Sequence, residues 1–238
     1  MLVNADPKTL FLGLLALGDV PPALLERALA WKSAGVSMKI NLALGELPNF
    51  TARPGSNEQA HHRATIHVAP SIDFLQAAYE DARTNGISRE PMLECFMQTP
   101  TDPSLAPPGK HILSIFAQYF PYDRTDRPWR ASDREEIADG IVAQLAAYAP
   151  NLPNAIEHRQ ILAPPDIESL LGIWGGQIFH GELLPGQIYE QRFGVRTGID
   201  GLYLCGSGTH PGGCVSGFPG RRAAEAAIAD ARRVGAGR

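Results

Sequence analysis

The sequence predicts an α/β protein of the α+β kind: a mixed sheet with flanking helices, then a separate strand, glycine-rich turn and helix. Three observations predict it. Between residues 36 and 148 the hydrophobic periodicities run strand, strand, helix, strand, strand, helix. Such an order suits a mixed or antiparallel sheet with helices on one face, not a doubly wound parallel sheet. Glycine (24) and proline (20) gather in the connections 52–56, 100–109, 150–165 and 206–220. From residue 177 onward the character changes, with short strand-like segments ahead of the glycines.

Taken in order, Leu2-Val3-Asn4 leaves little room for a complete first strand, so the chain is expected to begin in the middle of a fold. The apolar run Leu10 to Leu17 is too short to span a bilayer, which needs ~20 residues. Asp6 before it and Asp19-Val20-Pro21-Pro22 after it do not suit a secretory leader. Leu24, Leu25, Ala28 and Leu29 repeat at helical spacing, and Gly35 is expected to end that helix in the left-handed conformation. Val36, Met38, Ile40, Leu42 and Leu44 alternate with smaller or polar residues, as a half-buried strand does. Residues 64–69 read as a second strand. Ser71 caps a helix that Asn85-Gly86 closes. Residues 92–98 and 111–120 are two further strands. Ser132-Asp133-Arg134-Glu135 has the form of a capping box opening a helix with Ile137, Ile141, Val142 and Leu145 on one side. A short helix covers 166–171. Residues 177–180 and 187–192 look like short strands, 202–205 is a compact apolar strand, and 221–233 is a helix facing inward through Ala223, Ala224, Ala227, Ile228 and Ala231.

Composition removes several function classes. With 21 Lys+Arg against 25 Asp+Glu, the formal charge of −4 offers no basic field, and no nucleic-acid partner is expected. Cys95, Cys205 and Cys214 show neither C-x-x-C nor zinc spacing, the usage of a reducing compartment. His61, His62 and His67 lack a carboxylate or thiolate at ligand spacing, so no metal is expected and a solvated loop is.

The chemistry signal lies in the last strand, turn and helix. A buried strand running through glycines into a helix leaves unpaired N–H groups at the helix start, where the dipole favours an anion or a polar cofactor edge. Glycine lets that edge approach the backbone closely. The turn is not a dinucleotide fingerprint, because Pro211 stands where its third glycine would be, nor a P-loop, nor a nucleophile elbow. From the residues alone, both a ligand-binding loop and a tight structural turn remain open. So do the roles of His180, Glu182 and His210, as hydrogen-bonding groups or as neighbours of a ligand. No catalytic side chain is assigned.

The string Gly201-Leu-Tyr-Leu-Cys-Gly-Ser-Gly-Thr-His-Pro-Gly-Gly-Cys-Val-Ser-Gly217 resembles the C-terminal flavin motif of FAD-dependent oxidoreductases related to phytoene dehydrogenase, within the amine-oxidase-like flavoproteins. Val3-Asn4-Ala5-Asp6-Pro7, the strand from Lys39 to Pro48, and Gly175-Gly176-Gln177-Ile178-Phe179-His180-Gly181-Glu182-Leu183 resemble further elements of that family in the same order. The resemblance implies a split fold. Residues 1–19 would be a returning segment of the FAD domain, 20–175 a substrate domain, and 176–238 the C-terminal part of the FAD domain. The N-terminal Rossmann unit is absent from the sequence. The resemblance further implies FAD as cofactor, with Gly206 and Ser207 by its ribityl–pyrophosphate and Gly212, Gly213, Cys214, Val215 and Gly217 passing the flavin ring. Cys214 stands where the family often has glycine, and Gly198 where it often has proline. The implied activity is hydride abstraction from a small organic substrate, completed by a complementary N-terminal FAD-binding half or by self-association. The alternative is a non-catalytic fragment or interaction partner that keeps the fold without binding FAD on its own. The expected compartment is the cytoplasm, or the mitochondrial matrix in a eukaryote. An apolar face including Val3, Phe11, Leu202, Leu204 and the alanine face of residues 223–231 is expected to lie bare on the isolated chain.

Overall fold

The computed structural model describes residues 1–213 and 215–236. In chain order, β1 (Leu2–Val3) precedes a π-helical stretch, Thr9–Leu14, and α1 (Pro22–Ala30). Then come β2 (Ser37–Leu44), β3 (Ile66–Val68), α2 (Ile72–Asn85), β4 (Met92–Met97), β5 (His111–Gln118) and α3 (Asp133–Ala146). They are followed by α4 (Leu152–Ala155), β6 (Ile156–Leu162), α5 (Pro164–Leu171), β7 (Tyr203–Leu204) and α6 (Phe218–Ala236). The chain forms two compact units, one of residues Met1–Gly35 and Asp166–Arg238, the other of Val36–Pro165. These divisions fall elsewhere than the expected ones after 19 and 175. Helix α1 and Trp31 bury against Leu10, Phe11 and Phe193 of the discontinuous unit, and so belong to its core.

The continuous unit is a five-stranded sheet in the order β3-β4-β5-β2-β6, antiparallel at every pairing. Period-two alternation sets its register. Met38, Ile40 and Leu42 lie opposite Ala117, Ile115 and Leu113 and share one buried face with Leu93, Cys95 and Met97. Ala138, Ile141 and Leu145 of α3 join the same core. Helix α2 has the expected ends: Ser71 Oγ accepts the Phe74 N–H at 3.0 Å, and Gly86 closes it at φ +88°.

Three readings of this unit change. Ser132 itself has helical dihedrals and makes no cap; the adjacent Asp133 gathers the donors instead. Its carboxylate accepts the Arg130 N–H at 2.8 Å, two bonds from Arg127 at 2.7 and 2.8 Å, and Arg124 Nη1 at 2.9 Å. Residues 156–162 form an edge strand rather than part of a connection; Glu157 to Gln160 are exposed, so no apolar alternation advertised it. His62 is buried rather than solvated: its Nδ1 accepts the Gln59 N–H at 2.9 Å, which makes Nε2 the donor to the Pro48 carbonyl at 3.0 Å. His61 packs edge-on against Phe50. Among the described residues no group of three potential metal ligands occurs, and no helix is long and apolar enough to cross a membrane.

In the discontinuous unit, β1 and β7 form a two-stranded parallel sheet pairing Leu2 with Tyr203 and Val3 with Leu204. Phe11, Leu202 and Leu204, expected to lie bare, are buried with Leu10, Trp31 and Phe193. Helix α6 packs on Tyr203 through Ala223 and Ala226, while Ile228 is 53% exposed, so its inner face is rotated from the expected one. Gly35 is not a left-handed cap. Its N–H donates to the Gly175 carbonyl at 2.8 Å, and a Cβ there would lie 2.5 Å from the Gly176 oxygen. Close approach, not φ, requires glycine. Residues 177–180 and 187–192 form turns and a short 3₁₀ segment instead of strands, because their hydrogen bonds run to nearby carbonyls and to side chains.

The arginine pair holds the Asp133 carboxyl down at about 2, with Arg127 the largest contributor. A depressed carboxyl stabilises the fold above its unfolded value of ~3.9 and loses that contribution as pH falls toward about 2. Asp133→Asn is therefore expected to lower stability by roughly 2 kcal/mol at pH 7 and by much less near pH 2, read by urea unfolding at both pH values.

Candidate functional site

The glycine-rich turn leaves β7 at Cys205, whose N–H donates to the Val3 carbonyl at 2.9 Å. The Gly206 carbonyl then accepts both the Thr209 N–H at 3.1 Å and the Thr209 hydroxyl at 3.0 Å. The two glycines between them are required by packing. A Cβ on Gly206 would collide with the Asn4 side chain and its carbonyl oxygen, and one on Gly208 would lie 2.5 Å from Pro7 Cδ. The Asn4–Pro7 segment is held in turn by Asp6. Its carboxylate accepts the Thr9 N–H at 3.0 Å and the Trp174 N–H at 3.1 Å.

At the centre of this region lies Arg192, 2% exposed. Its guanidinium donates to three carbonyls: Phe179 at 2.7 Å, Ser207 at 2.8 Å and Gln187 at 3.2 Å. The charge also sits 5.6 Å from the Trp31 ring centroid. No carboxylate pairs with it among the described residues, and burial alone draws its pKa below the usual arginine value. Nε is buried without a partner and lies where a Cβ on Gly212 would be, 2.7 Å away. Gly213 would similarly press on the Phe179 ring at 2.5 Å. One cation therefore fastens the turn to the 177–187 segment.

The histidines divide. The His180 carbonyl accepts the Trp31 indole N–H at 3.1 Å; its ring Nδ1 is buried without a partner, and burial lowers its pKa, so it is neutral at pH 7. Glu182 is structural, accepting the Ala34 N–H at 3.3 Å. The His210 ring lies 6.5 Å from that of Tyr189, its Nδ1 also buried and unpartnered. Beside it an open groove of about 500 Å³ is lined by Glu190, Arg192, Phe193, His210, Phe218 and Arg222. After the clamped turn the chain opens. Val215, Ser216 and Gly217 are exposed, nothing lies within 4 Å of a Cβ on Gly217, and α6 begins with no acidic residue in its first turn. The dipole at the start of a helix of this length is electropositive, with Arg221 in its first turn, paired to Glu225 at 2.8 Å, and Arg222 one residue on.

The profile of the flavin containing amine oxidoreductases matches residues 73–228. The chain belongs to this family. Membership implies a flavin cofactor. The chain is 38% identical, over 97% of its length, to the "Pyridine nucleotide-disulfide oxidoreductase domain-containing protein 2" of Mus musculus, of which it covers 41%. It is 30% identical, over 76% of its length, to a lycopene-forming phytoene desaturase of Paracoccus sp., of which it covers 35%. It thus spans about two fifths of the length of these curated relatives. A solved oxidoreductase from Methanosarcina mazei aligns over 92% of the chain and 40% of its own length, at 16% identity and a TM-score of 0.49.

Against the family motif, Gly206 and Ser207 lie in the clamped part of the turn, and Gly212 and Gly213 are buried against Arg192 and Phe179. Val215 and Gly217 form the open part, and Cys214 lies outside the described residues. Gly198, at φ +84°, holds a conformation proline cannot take. Sequence reasoning missed Arg192, since an arginine between Gln191 and Phe193 carries no spacing signal for a carbonyl cluster 5 to 15 residues away.

Arg192→Met would leave those carbonyls unpaired, and a loss of roughly 3 kcal/mol or more is expected, with faster proteolysis between residues 205 and 217. Arg192→Lys should recover only part, since one ammonium cannot span the fork. Gly206→Ala is expected to destabilise by roughly 2 kcal/mol or more, whereas alanine at Gly13, which faces open space, should be tolerated. Urea unfolding and limited proteolysis measure all four variants.

Proposed function

We propose that this chain is the substrate-side and closing portion of an FAD-dependent oxidoreductase that removes hydride from a small organic substrate. The observation that carries this reading is the sequence of a protein-clamped glycine turn, an exposed 215–217 segment and an electropositive helix start. When bound, FAD would supply the hydride-accepting chemistry. The residues that would hold it are Gly206, Ser207, Gly212, Gly213, Cys214, Val215 and Gly217. The first four shape the turn, and Val215 and Gly217 leave backbone open before the start of α6, where the helix dipole favours negative charge. Arg192 keeps that backbone in place. Neutral His180 neither adds charge nor takes up a proton near pH 7.

The discontinuous unit fits the role of an incomplete dinucleotide domain. Two strands of two residues each are too few to stand as an independent sheet. A complementary N-terminal half, or a second copy of the chain, would complete it. The setting we favour is a reducing compartment, the cytoplasm or a mitochondrial matrix, in keeping with the free Cys95 and Cys205.

The chain purified alone is expected to be nearly colourless after desalting, because the ADP portion of FAD has no anchor on it. Co-expression with the segment that precedes the matched region in a full-length relative is expected to give a yellow complex. In that complex Gly217→Val should fold, with nothing within 4 Å to obstruct it, yet hold markedly less flavin. Stoichiometric flavin on the chain alone as a monomer would overturn the two-part site, and flavin on a self-associated chain would make a second copy the completing half. Undiminished flavin on the folded valine variant would overturn its placement at α6.

A further inference from the structure

Among the described residues, two that are not glycine hold a positive φ: Tyr189, and His180 at +56°. Tyr189 is 65% exposed, whereas His180 is half-buried, its Cβ 3.6 Å from where a Cβ on Gly208 would stand. An imidazole-bearing residue is strained in this conformation; glycine adopts it freely and asparagine at less cost. Three contacts impose it. The His180 N–H donates to the Gln177 carbonyl at 2.8 Å, and the His180 carbonyl accepts the Trp31 indole N–H at 3.1 Å. The Phe179 carbonyl just before it is held by Arg192 at 2.7 Å. All three act on main-chain atoms, so none of them asks for an imidazole. Strain kept at a position whose backbone does not need that side chain points to work done by the ring.

The two ring nitrogens differ. Nδ1 is buried with no partner, while Nε2 is open and makes no hydrogen bond among the described residues. An orphaned buried donor is rarer than an orphaned acceptor, which assigns the single proton of the neutral ring to Nε2. The charged groups facing the ring, the Asp6 carboxylate and the Arg192 guanidinium, oppose each other, and burial keeps the imidazole neutral. What the ring presents is therefore one uncharged N–H on its open side, next to the glycine turn.

We infer that His180 contacts the cofactor, its Nε2–H donating a hydrogen bond to a carbonyl oxygen or ring nitrogen on the polar edge of the flavin. This rests on the flavin reading above and adds a side-chain contact to a site otherwise made of backbone. A hydrogen bond strengthens as its acceptor gains negative charge. The donor therefore favours the reduced ring over the oxidised one.

The test uses the co-expressed two-part complex, ¹⁵N-labelled at histidine, before and after its flavin is stripped. A slowly exchanging His180 Nε2–H signal is expected with flavin bound and should vanish without it. His180→Gly and His180→Asn, which relieve the strain, should leave the urea midpoint of the chain unchanged or higher. In the complex both should weaken FAD binding roughly 2- to 10-fold, as loss of one neutral hydrogen bond does. Both should also move the flavin midpoint potential to a more negative value. A complex that holds no flavin would sink the functional reading and this inference together. A yellow complex whose His180 ring signals ignore the flavin would overturn this inference alone. So would variants that bind FAD as tightly as the parent. Lower stability in both variants would make the ring a structural prop, and would overturn it as well.

Discussion

A guanidinium removed from water must be surrounded by acceptors, and Arg192 is surrounded by three carbonyls, two from the 177–187 segment and one from the glycine turn. Almost everything at the candidate site follows from that one arrangement. Phe179, Gln187 and Ser207 lie in segments with little regular hydrogen bonding of their own, so their carbonyls are available and the cation gathers them. The aromatic cluster of Trp31, Phe193 and Phe11 supplies the apolar side of the pocket, with Trp31 edge-on to Phe193 at 4.9 Å. Removing the charge would leave more than a hole; it would free both segments at once.

The two units divide the physical work. The continuous unit is stabilised by ordinary means, an alternating antiparallel sheet with one apolar face under helices, and needs no partner group to explain its order. The discontinuous unit has a two-stranded parallel sheet, a long helix and much irregular backbone. Its order depends on specific contacts: Asp6 to Trp174, Gly35 to Gly175, Arg192 to the turn. A unit built that way can present exposed backbone at 215–217 without collapsing onto it.

The strongly patterned parts of this fold were legible in the sequence. Alternation in Val36 to Leu44 and the Ser71 and Gly86 ends of α2 translate directly into local physics, and the structure has them. The glycine turn was legible as a turn. The reason for each glycine was not: Gly206 and Gly208 are small because Asn4 and Pro7 press on them, a contact across about 200 residues. Strand β6 was illegible because an edge strand with exposed Glu157 to Gln160 carries no buried face. Ser132 was misleading because Asp133, one residue later, competes for the same donors and wins through two arginines. Arg192 could not be read at all, since its partners are backbone carbonyls and any residue supplies those.

The central claim is that Arg192 couples the glycine turn to the 177–187 segment, and native-state hydrogen exchange in Arg192→Lys tests it most directly. The Thr209, Gly212, His180 and Gln187 amides all donate to nearby carbonyls within irregular backbone. Their protection should fall together by a similar factor in the variant, while the amides paired between β2 and β5 keep theirs. Loss confined to one of the two segments, or protection unchanged in both, would contradict the account.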